Sequence, residues 1–285
     1  MMHIKQHTSA NISRCCILSG LLVFLLLFVF SGPAYAETLT VSGTGAALPT
    51  MERIAKSFKS ANPDIKLKII TPPMGSSGSV RGLSGGFLDI ALSARSLTGE
   101  EKKSGLVMQP YAKTAMVFAV GAKQAFVNVS TQELIAIYSG DKKEWSAGER
   151  LRLIMRPAND SDITLLKTLS SALAQTVDET LARNHLTYAI TDYDSAECIE
   201  KIPGAFGTST LAMILATQSS MKALHLDGIA PTLNNVENGS YPLTKTFHVV
   251  TRQNPTATVQ RFINFIYSKT GSKILADSGN LALYR

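Results

Sequence analysis

Beyond residue 36 this chain holds a single cysteine, Cys198, so no disulfide can form within that part of it. A chain of this size buries enough apolar surface to fold without one. Cys198 reads as a small buried hydrophobe beside a strand rather than as a nucleophile. The histidines His185, His225 and His248 stand far apart, without metal-ligand spacing, so no metal and no other cofactor is expected. There is no Gly-x-Ser-x-Gly elbow and no nucleophile beside a base in local sequence, which argues against a hydrolase. Basic residues outnumber acidic ones, 28 to 21, for a net charge of +7. They are scattered in pairs such as Lys66/Lys68 and Lys142/Lys143, with no dense stripe and no interleaved aromatics, so nucleic acid is not an expected partner. A mildly basic balance does suit an anionic ligand.

The first 36 residues read as a leader. Lys5 and Arg14 form a positive segment free of acidic residues, Ile17–Phe30 is an apolar run, and Ala34-Tyr35-Ala36 is a small-x-small cleavage signal. The run is short for a bilayer span, which needs roughly 20 residues. A secretory signal peptide with cleavage after Ala36 is expected, leaving residues 37–285 as an exported protein.

Those residues alternate strands with helices. Residues 37–42 alternate as a strand. After Gly43 to Pro49, the residues Met51, Ile54, Ala55, Phe58 and Ala61 fall at helical spacing, and Asn62-Pro63 stops the helix. Residues 65–71 form a second strand, Gly75–Ser79 a turn, Val80–Phe87 a helix and residues 88–92 a third strand. An α/β fold with mostly parallel sheets follows. The pattern breaks at Gly121-Ala122-Lys123 and returns at Phe247. This gives two lobes, 37–120 with 247–285 and 121–246, joined by two hinge crossings around a cleft. Further helices are expected over 131–138, 162–174 and 256–267.

In such sheets ligands bind beyond the carboxyl ends of the strands. Gly43–Pro49, Gly75–Ser79 and Ser93–Ser96 all lie there. The Gly/Ser stretch ahead of a helix is a ready anion site. Helix-start amides are unpaired and carry partial positive charge, glycine admits close approach, and serine hydroxyls donate. Arg156, at a strand end, has two readings: a guanidinium fork for an oxyanion, or an ion pair with Asp160 or Asp162. Asp160 and Asp162 read as helix caps. Asp192 and Asp194 lie among turn residues without an evident partner.

These stretches carry a resemblance. Gly43–Pro49, Gly75-Ser76-Ser77-Gly78-Ser79, Asp89–Arg95, Ser130–Trp145 followed by Arg156, Tyr241-Pro242-Leu243 and Ser268–Gly279 occur in an order that resembles the periplasmic phosphate-binding proteins of ABC transporters. These belong to the two-lobed periplasmic solute-binding proteins, and the similarity covers almost all of residues 37–285. It implies a two-lobed α/β fold, no enzymatic activity, inorganic phosphate or a similar tetrahedral oxyanion as ligand, an ABC permease as partner, and a monomer in the periplasm. It implies ligand contacts at Ala47 and Leu48 through backbone N–H groups, at Ser76, Ser77, Arg95 and Arg156, and at Ser161 in the helix start. Three departures stand out: Ala47 for threonine, Ala94 for an aspartate that accepts the proton of hydrogen phosphate, and Asp160-Ser161-Asp162 for Ser-Gly-Thr. They leave open an alternative, a relative with an altered or lost ligand serving as sensor, adhesive or accessory protein.

Overall fold

Strand β1 (Thr38–Gly43) opens the fold with the expected alternation, Leu39 and Val41 facing inward. The computed structural model describes residues 38–146 and 148–284, so the expected leader and its cleavage point lie outside the described residues. Helix α1 (Leu48–Ala61) buries Met51, Ile54, Ala55 and Phe58 along one stripe, with Pro49 in its first turn. Fully burying each large side chain of that stripe contributes about 1.5–3 kcal/mol. Phe58 meets Phe262 edge-on, ring centroids 5.0 Å apart.

The chain continues through β2 (Lys66–Ile69), α2 (Gly75–Ser84), β3 (Ile90–Ser93) and α3 (Gly99–Lys103). It then enters a fifteen-residue strand, β4 (Leu106–Val120). Next come β5 (Asn128–Val129), α4 (Thr131–Ser139), β6 (Arg152–Met155), α5 (Ser161–Leu166), α6 (Ser171–Leu181) and β7 (Thr187–Tyr188). They are followed by α7 (Asp192–Lys201), β8 (Ala205–Thr210), α8 (Leu211–Thr217), β9 (Lys222–Ala223), β10 (His225–Leu226) and α9 (Leu233–Glu237). The chain closes with β11 (Thr244–Arg252), α10 (Ala257–Ile266), α11 (Lys269–Asp277) and β12 (Leu281–Ala282).

Eight strands form one path, β2-β1-β3-β11-β4-β8-β6-β7, with β9 and β12 paired to β4, and β5 and β10 form a separate pair. The flanks of the path are parallel: β2-β1-β3 on one side, β8-β6-β7 on the other. The middle is antiparallel, because β11 runs against both β3 and β4, and β4 against β8. The sheet is therefore mixed rather than mostly parallel throughout. The long strand β4 makes it so: residues 106–115 pair with β11, and residues 116–120 pair with β8. Among the described residues three apolar cores result, one around α1, α10 and the first flank, a second around α4, α6 and the second flank, and a smaller third of Val80, Leu83, Leu88, Ala91, Leu97, Leu106 and Val250.

Two helices differ from the sequence pattern. The helix expected over 162–174 is two helices. Ser170 accepts the Leu173 N–H and starts α6 afresh, and Thr168 Oγ1 donates to the Leu165 carbonyl at 2.6 Å. Short hydroxyl side chains compete with helix continuation in this way. Cys198 lies within helix α7 and is half-buried rather than buried.

Candidate functional site

The parallel strands of both flanks direct their carboxyl ends at one cavity of about 860 Å³. Thr44 and Gly45 follow β1, residues 73–78 follow β2, and Ala94 to Ser96 follow β3. On the other wall Arg156, Pro157 and Asn159 to Ser161 follow β6, and Ile190 to Asp192 follow β7.

The Gly/Ser segment is itself the first turn of α2. The helix starts at Gly75, not at Val80, and Gly75 takes a left-handed φ of +68° that an L side chain resists. Ser79 Oγ, bonded to the carbonyls of Gly75 and Ser76, closes that turn. The N-cap residue is Met74, which supplies no side-chain cap, so the first-turn amides are left for another acceptor. Ser76 Oγ accepts the Ala94 N–H at 3.0 Å and so keeps its own proton to donate. Ser77 Oγ accepts from Arg95 Nε at 3.1 Å.

Arg95 is committed elsewhere. Its two terminal nitrogens donate to Glu101 at 2.8 and 2.7 Å, and Nη1 also reaches the Ser96 carbonyl. The Arg95 hydrogen bonds hold the Glu101 carboxyl down at about 2. The expectation of Arg95 as an oxyanion contact gives way to a side chain that lines the cavity as a neutralised pair. Ala47 and Leu48 depart further from expectation. Both side chains are buried in the first core, neither lines the cavity, and their N–H groups donate to the Thr44 and Gly45 carbonyls at 3.1 and 3.3 Å. The tight turn that carries the chain from β1 into α1 takes those donors.

Arg156 and Ser161 line the cavity together with Ser76 and Ser77. Arg156 is 3% exposed. Nη2 donates to Asp160 Oδ2 at 2.7 Å, Nη1 to the Ala189 carbonyl at 3.2 Å, and Nε has no hydrogen-bond partner. Asp160 also caps α5, accepting the Asp162 N–H at 2.8 Å, so cap and ion pair are the same side chain. Asp162 does not act as a cap. It is 1% exposed, accepts Thr208 Oγ1 at 2.7 Å and pairs with the Lys245 ammonium.

Two members of this cluster escaped the sequence reading. Lys245 is the second residue of β11 and is 4% exposed. The signal was present: strand alternation places it on the inward face with Leu243, Phe247 and Val249. Asp192 starts α7, and its carboxylate lies 3.9 Å from Arg156, 4.0 Å from Lys245 and 3.5 Å from Thr44 Oγ1. A Cβ on Gly45 would sit 2.9 Å from Asp192 Oδ2, so glycine there lets the β1 turn approach the carboxylate. No local pattern announces these pairings across the fold.

The cluster shifts its members in opposite directions. Burial alone would raise Asp162, but Lys245 and Arg156 outweigh it and hold the carboxyl below its usual range. Burial alone would lower Lys245, but Asp162, Asp192 and Asp160 hold it above the usual amine range. Asp160 is pushed up, by burial first and by Asp162 next, against the pull of Lys245 and Arg156.

This geometry meets known proteins at one point. Residues 30–270 match the PBP superfamily domain. The chain belongs to the PBP superfamily. Among curated relatives of this PBP-superfamily chain, the phosphate-binding protein PstS of Bacillus subtilis is 29% identical over 255 residues, covering 85% of this chain and 79% of that one. PstS of Borreliella burgdorferi is 22% identical over 280 residues, 95% of this chain and 99% of the relative. Among solved structures, a candidate phosphate ABC transporter substrate-binding protein from Clostridium perfringens, with phosphate bound, superposes with a TM-score of 0.74. It is 21% identical, with 87% of this chain and all of that one covered, and it shows the fold: a two-lobed α/β binding protein.

Proposed function

We propose that this protein is an exported, non-catalytic solute-binding protein that takes phosphate or a related tetrahedral oxyanion between its lobes and presents it to an ABC permease. The observation that carries the reading is the meeting, in one cavity, of the α2 helix start with Ser76 and Ser77, and of Arg156 on the opposite wall. Uncapped helix amides, a serine proton and a guanidinium whose Nε–H lacks an acceptor are donors without acceptors, which is what an oxyanion supplies. The likeness to phosphate-binding relatives supports the same ligand class.

Closure would turn about the point where the sheet changes partners. Thr244 pairs with Ala115, the Met116 N–H donates to the Leu243 carbonyl, and Met116 pairs with Thr210. A hinge there moves each flank as a body. The protein acts as a monomer, from the periplasm, after removal of its leader.

The test is titration calorimetry of the ligand-stripped protein with phosphate, sulfate, molybdate and tungstate. At least one binds, and Arg156→Ala weakens it at least a hundredfold. If none binds at millimolar concentration, the oxyanion reading fails and the alternative of a lost ligand replaces it.

A further inference from the structure

The cavity is larger than a bare oxyanion needs. A tetrahedral anion of five heavy atoms occupies two to three water volumes, roughly 60–90 Å³. The cavity holds about 860 Å³, within the range that accepts organic ligands. Its outer part is lined by Pro73, Met74, Leu165 and Ile190, with Met74 41% and Ile190 66% exposed. Apolar walls of that kind contribute nothing to a naked phosphate and suit a short carbon chain.

Its two walls also differ in charge. The α2 wall offers the helix start, Ser76, Ser77 and Arg81, with Arg95 neutralised by Glu101. On the facing wall and just behind it, two cations, Arg156 and Lys245, stand against three carboxylates, Asp160 and Asp192 at the cavity and Asp162 buried beneath them. One negative charge is left over. Arg156, Lys245, Asp160 and Asp192 all line the cavity, and Asp160 is the most exposed of the four, its side chain 18% exposed. A dianion alone would add like charge to this wall, whereas a ligand with its own cation would complement both walls.

We propose that the cavity takes a phosphonate or phosphomonoester whose short organic tail ends in an ammonium, the phosphoryl group at the α2 start and the ammonium toward Asp160. This rests on the oxyanion reading above and narrows it to a zwitterionic class. The phosphoryl oxygens accept from the α2 amides, Ser76 Oγ and Arg156 Nε. The tail crosses the apolar rim, and Asp160 faces the amine.

Calorimetry of the ligand-stripped protein with phosphate, ethylphosphonate, 2-aminoethylphosphonate and O-phosphoethanolamine tests the assignment. At least one of the two amines binds tenfold or more tighter than ethylphosphonate and than phosphate. Asp160→Asn narrows that preference for the amines over ethylphosphonate, both measured on the same variant, to threefold or less. If Asp160→Asn does not fold, the ligand series on the unaltered protein decides alone. Equal binding of the amines and ethylphosphonate, or phosphate binding tightest, overturns the zwitterion and leaves the oxyanion reading standing. If none of these four, nor sulfate, molybdate or tungstate, binds at millimolar concentration, both readings fall together.

Discussion

Lys245→Met is the perturbation that weighs the buried cluster. The ammonium pairs with Asp162, lies 4.0 Å from Asp192, and is almost wholly shielded from water. Methionine keeps most of the stem volume and removes the charge. Asp162 then keeps Thr208 and a more distant Arg156, but no close cation. Breaking a buried pair by removing one partner costs about 3–5 kcal/mol, because the remaining charge stays desolvated. In a domain of this size that lowers Tm by on the order of 10 °C. Urea unfolding at pH 7, followed by circular dichroism and by Trp145, the single tryptophan, measures it. The sign of the pH dependence adds a second reading. In the unaltered protein Asp162 is held below its unfolded value, so its contribution is present above that value and is lost as pH falls through the folded one. In Lys245→Met desolvation wins and the same carboxyl rises above its unfolded value, so that variant gains stability as pH falls from 7 toward 5. The gap between the two proteins therefore narrows on acidification. Pairing Lys245→Met with Asp162→Leu recovers most of the loss, since apolar residues replace a buried pair at little net cost. A single variant within 1 kcal/mol of the parent at pH 7, or a gap that widens in acid, refutes the reasoning.

Three smaller perturbations probe the site. Ser76→Ala removes one hydroxyl donor to an anion, about 1.5–3 kcal/mol, so calorimetry reads roughly a ten- to hundredfold loss of oxyanion affinity with Tm almost unchanged. Arg95→Gln, by contrast, takes away a side chain already saturated by Glu101, Ser77 and Ser96, and affinity changes less than fivefold; a loss as large as that of Arg156→Ala would show that Arg95 leaves Glu101 to bind ligand. Gly45→Ala brings a Cβ to 2.9 Å from Asp192 Oδ2, and displacing that buried carboxylate destabilises by about 1–3 kcal/mol, read as a lower urea midpoint.

Much of the architecture was legible before any coordinates. The stripe of α1, the stop at Asn62-Pro63 and the helix over 256–267, with its face of Val259, Phe262, Ile263 and Ile266, are written in local periodicity. So were the cavity-lining places of Ser76, Ser77, Arg156 and Ser161, because strand-end loops in α/β sheets converge. What stayed hidden is non-local. Strand β4 changes partner at residue 116, and no residue pattern along the strand announces that switch. Ala47 and Leu48 lose their amides to a turn whose closure depends on the packing of α1 against the core.

The sequence by itself determined most of the helices and strands and which strand-end loops line the cavity, since those follow from interactions between near neighbours. Only the tertiary structure decided which charges face one another. Arg156, Lys245, Asp160, Asp162 and Asp192 come from three separate stretches of chain, and Coulomb energy depends on distance through space, not on separation along the sequence.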